Sequence, residues 1–318
     1  MNNFINNQIF NDFEQLAATA RSWDVDFRQI EKGRFKANIF QYISKDFQLT
    51  RARFNRSLDQ KGSPPKGLWT FAVAAVPEIP LIFKGREAGS NDIMLYPPGS
   101  EICAISKPGF DILTFSVSEN LLESISEKNG LPRFSKQLKG VDIFTCKKDN
   151  ITTIRHILIR IFSEMQKMDF LKENYYGKLD KINNITIAIV SAICSRKKPL
   201  RKHYQVKLRD GAFNQAMACI EAHAGDHLTV RGLEKSTGVT ERTLEYVFRE
   251  RLGMSPKAYI RTYRLNRVRR DLIRSNPSAA KVVDIANIWG FWHMGQFAKD
   301  YREFFKELPS ATLKEHAL

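Results

Sequence analysis

The chain has 318 residues, a formal net charge of +16, 43% hydrophobic residues and four cysteines. That apolar content builds real cores in a chain long enough for two ordinary domains, and it excludes general disorder. No run approaches the roughly 20 apolar residues of a membrane span. Cys103, Cys146, Cys194 and Cys219 lie far apart with no CxxC, which speaks against zinc sites and a disulfide framework and fits a reduced cytoplasm.

The opening MNNFINNQIFNDFEQ lacks a basic region followed by an apolar core and is expected to be no secretory signal. Short β-type runs follow at a spacing of about ten residues, with Gly and Pro between them. They are 35–43, 47–54, 68–76, 79–83, 92–99, 101–106 and 110–118. The spacing predicts an antiparallel, cupin-like barrel or sandwich. Helical patterns trail it over 118–128, 151–167 and 178–194; in the second, Ile154, Leu158, Ile161 and Phe162 share one apolar face. His156, in that helix, is the one histidine before residue 195, so a histidine-held metal in the barrel is not expected, and no metal site is assigned. Neither a phosphate loop nor a dinucleotide fingerprint occurs, so no cofactor is expected. Helices 151–167 and 178–194 are more apolar than one sheet face requires, which predicts a homodimer contact there.

The stretch SRKKPLRKHYQVKLRDG is polar, basic and holds Pro199. It reads as a linker over 196–210, separating a first domain (1–195) from a second (211–318). Residues 196–318 carry 24 Lys+Arg against 13 Asp+Glu, and the first 195 carry 26 against 21. The cationic excess therefore belongs to the second domain. It suggests a polyanionic partner, either nucleic acid or anionic lipid.

Two stretches of the second domain repeat. Phe248-Arg249-Glu250-Arg251-Leu252 matches Tyr301-Arg302-Glu303-Phe304-Phe305 at an offset of 53, whereas Gly238 and Gly290 are 52 apart, so one residue is inserted in the second copy. Each copy reads as helix, tight turn, helix, over 231–252 and 281–304. In the first, Thr240 can cap a helix with Leu244, Val247, Phe248 and Leu252 inside. Outside lie Arg242, Thr243, Glu245, Tyr246 and Arg249. In the second, Phe297, Tyr301 and Phe304 lie inside, and Met294, Gly295, Gln296, Lys299 and Arg302 outside. Trp289 and Phe291 read as packing, and His293 as an exposed phosphate or base contact. Between the copies, Ser255-Pro256 opens an unbroken helix that runs to Asn276-Pro277. About 20 helical residues span ~30 Å, close to the ~34 Å of one duplex turn. Such a helix would hold two recognition helices on one face of DNA. Ala258, Leu265, Val268 and Leu272 form its apolar stripe, and its arginines, Arg267 among them, are candidates for phosphate contact.

The double unit, the LGMSPKAYIRTYRLNRVRRDL connection and the closing KELPSATL resemble the AraC-type transcription regulators over residues 210–317. The β-rich first half resembles them by architecture. WGFWHMGQFAKDYREFFKELPS looks most like the branch of ethanolamine-utilisation regulators. The resemblance implies an α+β chain: a dimerising first domain that senses a small-molecule effector, and a DNA-binding second domain that brings RNA polymerase into contact. Base reading would fall on Arg242, Glu245 and Tyr246, and on Met294, Gly295 and Lys299. An activator of transcription is the expected function, with double-stranded DNA as partner and no membrane. Two alternatives differ in class. One is a DNA-repair alkyl-transfer enzyme, for which Cys146 is the candidate thiol although it lacks a Pro-Cys-His-Arg context. The other is a regulator with no small-molecule effector.

Overall fold

The structure, a computed structural model, describes residues 4–19, 22–79, 81–84, 86–131, 141–167, 175–194, 208–226 and 228–315. Its first half is sheet-rich and its second half helical. The strands are β1 (Phe4–Phe10), β2 (Asp24–Gln29), β3 (Ala37–Ile43), β4 (Phe47–Phe54), β5 (Leu58–Ser63), β6 (Leu68–Ala74), β7 (Leu81–Phe83), β8 (Arg86–Ala88), β9 (Asp92–Tyr96), β10 (Ile102–Ile105), β11 (Phe110–Ser118) and β12 (Ile143–Thr145). Among the described residues they form a seven-stranded sheet, β1-β3-β4-β11-β6-β9-β12, and a five-stranded sheet, β2-β5-β10-β7-β8. Every pairing in both is antiparallel.

The large sheet is buried on both faces, which is why its strands read as near-continuous apolar runs. Phe40, Tyr42, Leu49, Phe71, Leu113 and Phe115 point to one side. There they meet helices α2 (Glu119–Lys128), α3 (Lys148–Gln166) and α4 (Tyr175–Cys194). Ile39, Ala52, Phe54, Ala72, Met94 and Ile112 alternate with them and face the small sheet. The apolar surplus of α3 and α4 is therefore largely spent inside the chain: Ile154, Leu158, Ile161, Ile185, Ile189 and Val190 are all in this core.

Helix α1 (Phe13–Thr19) follows β1, and the second half holds α5 (Leu208–His223), α6 (Val230–Thr237), α7 (Glu241–Leu252), α8 (Pro256–Arg274), α9 (Val282–Ile288), α10 (Met294–Phe305) and α11 (Pro309–Glu315). Residues 196–207 of the expected linker lie outside the described residues, and 208–210 belong to α5.

The halves meet across a polar seam that the basic linker did not foretell. Asn266 of α8 pairs with the end of β2 like a neighbouring strand. Its Oδ1 accepts from the Gln29 N–H at 2.9 Å, and its Nδ2 donates to the Gln29 carbonyl at 2.9 Å. Tyr259 donates its hydroxyl to Asp59 at 2.6 Å. The Arg28 guanidinium, 3% exposed, lies 3.2 Å from Asp59 and 2.7 Å from Glu221 of α5. Arg269, also buried, bridges Asp12 at 2.8 Å and Glu307 at 3.0 Å while lying over the rings of Phe13 and Phe305. Arg270 binds Glu14 at 2.8 Å and also Asp26. Phe13, Leu16, Leu265, Val268, Leu272 and Phe305 make one apolar core across the boundary. The arginines of α8, expected as a solvated or phosphate-facing stripe, are thus mostly occupied by carboxylates and carbonyls of this chain. Ala258, expected in the apolar stripe, is exposed; Tyr259, Ile260 and Tyr263 take that role.

Two outcomes follow for stability. Arg269→Ala leaves Asp12 buried without its cation, so denaturant unfolding should show a loss of about 3–5 kcal/mol. Lys32→Ala, which removes an exposed pair with Glu303, should barely move the midpoint. Burial pushes the Glu221 carboxyl up, but Lys61 and Arg28 outweigh it and hold the group below its ordinary range. A depressed carboxylate stabilises fully above its unfolded value of about 4.3, and that contribution is lost as the pH falls. Glu221→Gln should therefore flatten the acid side of the stability profile, as measured by urea titrations across pH.

Candidate DNA-reading site

The two repeated units are built on the same local rules. In the first, Thr229 caps α6 by accepting from the Gly232 N–H at 3.2 Å. Gly238 then takes φ +68, a left-handed turn closed by its N–H donating to the Glu234 carbonyl. Thr240 caps α7 at Thr243, and Glu234 reaches forward to the Glu241 N–H, tying the support helix to the second helix. Leu244, Val247 and Phe248 are fully buried, with Phe248 edge-on to Phe213 and Tyr259. In the second unit α9 is the support helix and Gly290 (φ +78) makes the turn. Phe297, Tyr301, Phe304 and Phe305 bury the inner face of α10.

The outward residues differ in exposure and in what they touch within the chain, Tyr246 donating to Glu250 and Thr240 capping its own helix. Thr240, Arg242 and Tyr246 are exposed along α7, Tyr246 at 50%. Thr243 is half-buried, its backbone N–H donating to Thr240. Arg249 is exposed but forms an ion pair with Glu245 one turn back at 3.1 Å. On α10, His293, Gly295, Gln296, Lys299 and Arg302 are exposed. His293 occupies the N-cap position and makes no side-chain capping bond. Gln296 donates to Asp300 at 2.8 Å, and Asp300 also pairs with Arg261 of α8.

Two expected contact residues stand elsewhere. Met294 is half-buried against the core, since the first turn of α10 packs inward there. The Arg267 guanidinium lies 4.8 Å over the Trp289 ring, a cation–π contact that leaves it half-buried. Trp289 in turn donates its indole N–H to Asp271 at 2.6 Å. Arg267 and Trp289 therefore fasten the second unit to α8. Trp292, which the periodicity of the helices could not assign, is 61% exposed beside His293.

Both second helices thus present cationic and polar side chains from one connecting helix of 19 residues, about 28 Å long at 1.5 Å per residue. This is the arrangement of a double helix-turn-helix. Residues 233–315 match the family model described as a helix-turn-helix domain. The chain is 36% identical over 104 residues to the probable thc operon regulatory protein of Rhodococcus erythropolis, covering 33% of this chain and 31% of that protein. It is 31% identical over 106 residues to XylDLEGF operon transcriptional activator 2 of Pseudomonas putida, covering 33% of this chain and 68% of that protein. A solved structure of a probable AraC family transcriptional regulator from Rhodopseudomonas palustris is 32% identical, covering 34% of this chain and 98% of that one with a TM-score of 0.31. The match to the thc regulator spans about a third of that relative's length. The chain belongs to the AraC-type transcription regulators.

The two copies differ where their second helices end. Gly253 closes α7 at φ +71, whereas Lys306 closes α10 at φ +63. A side chain in this left-handed region costs roughly 1–2 kcal/mol. Lys306→Gly should therefore raise stability by up to about 1 kcal/mol, the gain being offset in part by the freer unfolded chain. Thermal unfolding of the full chain reads the difference; a lower midpoint would mean that the lysine stem makes a compensating contact.

Proposed function

We propose that this chain is a sequence-specific, double-stranded DNA-binding transcription regulator that acts as an activator in response to a small molecule. The observation that carries the reading is the pair of exposed recognition faces on α7 and α10, held by one rigid helix. Arg242 and Tyr246 would read base edges in one half-site, and Lys299 in the next, while Arg302, His293 and the Thr240 hydroxyl meet phosphates. The activator role rests on the relatives whose names carry it, with RNA polymerase as the partner on DNA. The run from Trp289 to Ser310 supports a position near the ethanolamine-utilisation regulators.

A cavity of about 70 Å³ between the two sheets supports the effector reading and a cupin-like role for the first domain. Its walls are apolar apart from a few groups, among them the Trp23 indole N–H and the Gln60 amide nitrogen, both buried without a hydrogen-bond partner. Two unmet donors in an apolar wall suit a ligand with a compact apolar body and an acceptor oxygen. Half-buried Ile157, Ile187 and Ala188 along the α3–α4 groove support a homodimer. The alkyl-transfer alternative gains nothing from Cys146, which is buried in the core between the large sheet and its helices.

Arg242→Ala tests the reading of bases. A forked guanidinium on guanine O6 and N7 is worth about 1–3 kcal/mol against the wrong base. The variant should lose roughly that much on the cognate duplex and far less on a scrambled one. Lys299→Ala should do the same at the other half-site. Fluorescence-anisotropy isotherms at several salt concentrations separate the outcomes. Equal losses on both duplexes would reduce Arg242 to a phosphate clamp.

A further inference from the structure

The one-residue insertion in the second repeat has a definite location and a definite product. Between the turn glycine and the helix N-cap, the first copy holds a single residue: Gly238, Val239, Thr240. The second copy holds two: Gly290, then Phe291 and Trp292, then His293. Phe291 takes the place of Val239. Its ring centroid lies 5.0 Å from that of Phe297, and it packs on the inner core as Val239 packs on the core of the first unit. The inner place is thereby filled, and the extra residue has nowhere to go but outward. Trp292 and Ile288, at 61% and 62%, are the most exposed large hydrophobic side chains among the described residues.

A single exposed apolar side chain is ordinary on a protein surface. This one differs in its setting. It directly precedes the N-terminal turn of the second recognition helix, whose capping residue leaves the first N–H groups without a side-chain acceptor. Lys299 and Arg302 are exposed further along the same helix. The surroundings are cationic and include a helix N-terminus with no side-chain cap, which is the surface a phosphate-lined groove complements. In such a groove the apolar feature available to an indole is the C5-methyl group of thymine.

Resting on the DNA-binding reading above, we infer that Trp292 is a specificity-determining residue that makes an apolar contact with a thymine methyl group in the half-site read by α10. The first unit has no counterpart, so the two half-sites are read by different chemistry: hydrogen-bonding groups on α7, and an apolar contact added at α10. The contact is uncharged and leaves the salt dependence of binding unchanged, unlike loss of a phosphate-binding lysine.

The experiment uses the full chain and a cognate duplex selected from bound genomic fragments. Trp292→Ala should bind it about five- to tenfold more weakly, the low end of the cost of one wrong base pair, with unchanged salt slope and thermal midpoint. Trp292→Phe should recover most of the affinity. Each thymine of the second half-site is then replaced by uracil, which removes only the methyl group. One replacement should weaken the wild type by a similar factor and leave Trp292→Ala unaffected. Acrylamide quenching of the wild type should fall on binding DNA, and this protection should be absent in Trp292→Ala. Wild-type binding with an unaltered Trp292→Ala isotherm overturns the inference and leaves the DNA reading intact. So does a uracil scan with no coupled position. Normal DNA affinity with lost activation in a purified transcription assay would assign Trp292 to the polymerase instead, and also overturns it. A wild-type chain with no affinity for any duplex overturns both.

Discussion

Helix α8 is the member on which the rest of this structure leans. It joins the two helix-turn-helix units, and its other sides are buried against α5, α7, α9 and the β2 region of the first half. Ten of its residues are buried, including Thr262, Asn266 and Arg269. An isolated connecting helix would keep its polar groups in water. Here they are withdrawn and must be matched, because an unmatched buried charge costs several kcal/mol. The Asn266–Gln29 pair and the Arg269 bridge to Asp12 and Glu307 provide that matching. They also give the seam a direction and register that apolar packing alone would not impose. Rotation of α8 by even a fraction of a turn would break several of these contacts together. The relative position of α7 and α10 is therefore tied to the first half of the chain.

The pleat of two strands supplies the link between that seam and the cavity. On β2, Val25 and Phe27 line the cavity, whereas Asp26 and Arg28 face the second half. On β5, Gln60 lines the cavity, whereas Asp59 and Lys61 face α5 and α8. The alternation is a plain consequence of strand geometry. It means that the cavity wall and the seam are opposite faces of one layer, a single side chain apart. The cavity holds about 70 Å³, whereas an apolar cavity of about 150 Å³ is what takes benzene. A ligand of that size must displace the walls. Strands β2 and β5 belong to the smaller sheet, which is not backed by the α2–α4 layer, so displacement there reaches Arg28 and Asp59 directly.

Legibility from sequence followed burial. Strands β3, β4, β6, β9 and β11 of the large sheet are legible because both of their faces are apolar, one toward helices and one toward the other sheet, whereas the part-exposed edge strand β1 and the short β12 are not. Strands β2 and β5 were missed for the opposite reason. DVDFRQ and LDQKGS alternate apolar or amide groups with charges, and the charges look like solvent-facing loop residues. Their partners, Arg270, Tyr259 and Glu221, lie between 160 and 244 positions away in sequence. The inner faces of α7 and α10 are legible from 3.6-residue spacing, with Arg251, buried over the Phe213 ring, and Phe305 as the two additions. The arginines of α8 are not. A row of guanidiniums carries the same pattern whether phosphates or distant carboxylates will neutralise it, and only three-dimensional proximity tells the two apart. Trp292 escaped for a third reason: it lies in a turn, where no periodicity applies.

The two DNA-facing units also differ in how firmly they are held, and the difference bears on how a seam signal would be felt. The first unit has hydroxyl caps at the start of both helices, a Glu234 strap between them and Gly253 at the close. The second has side-chain caps on neither helix and a lysine in the left-handed closing position. Its attachment to α8 depends on Trp289, clasped between the Arg267 guanidinium and Asp271, and on the Arg261–Asp300 pair. Its last turn is also bound to the first half, where the Gly33 N–H donates to the Phe304 carbonyl at 2.7 Å and Lys32 pairs with Glu303. A loosely capped unit with direct contacts to the first half is the one whose position a change in that half can alter at low cost. The first unit, touched by the first half mainly through α5 and α8, moves only if the spine moves. A shift of the first half is thus transmitted to the second unit before the first.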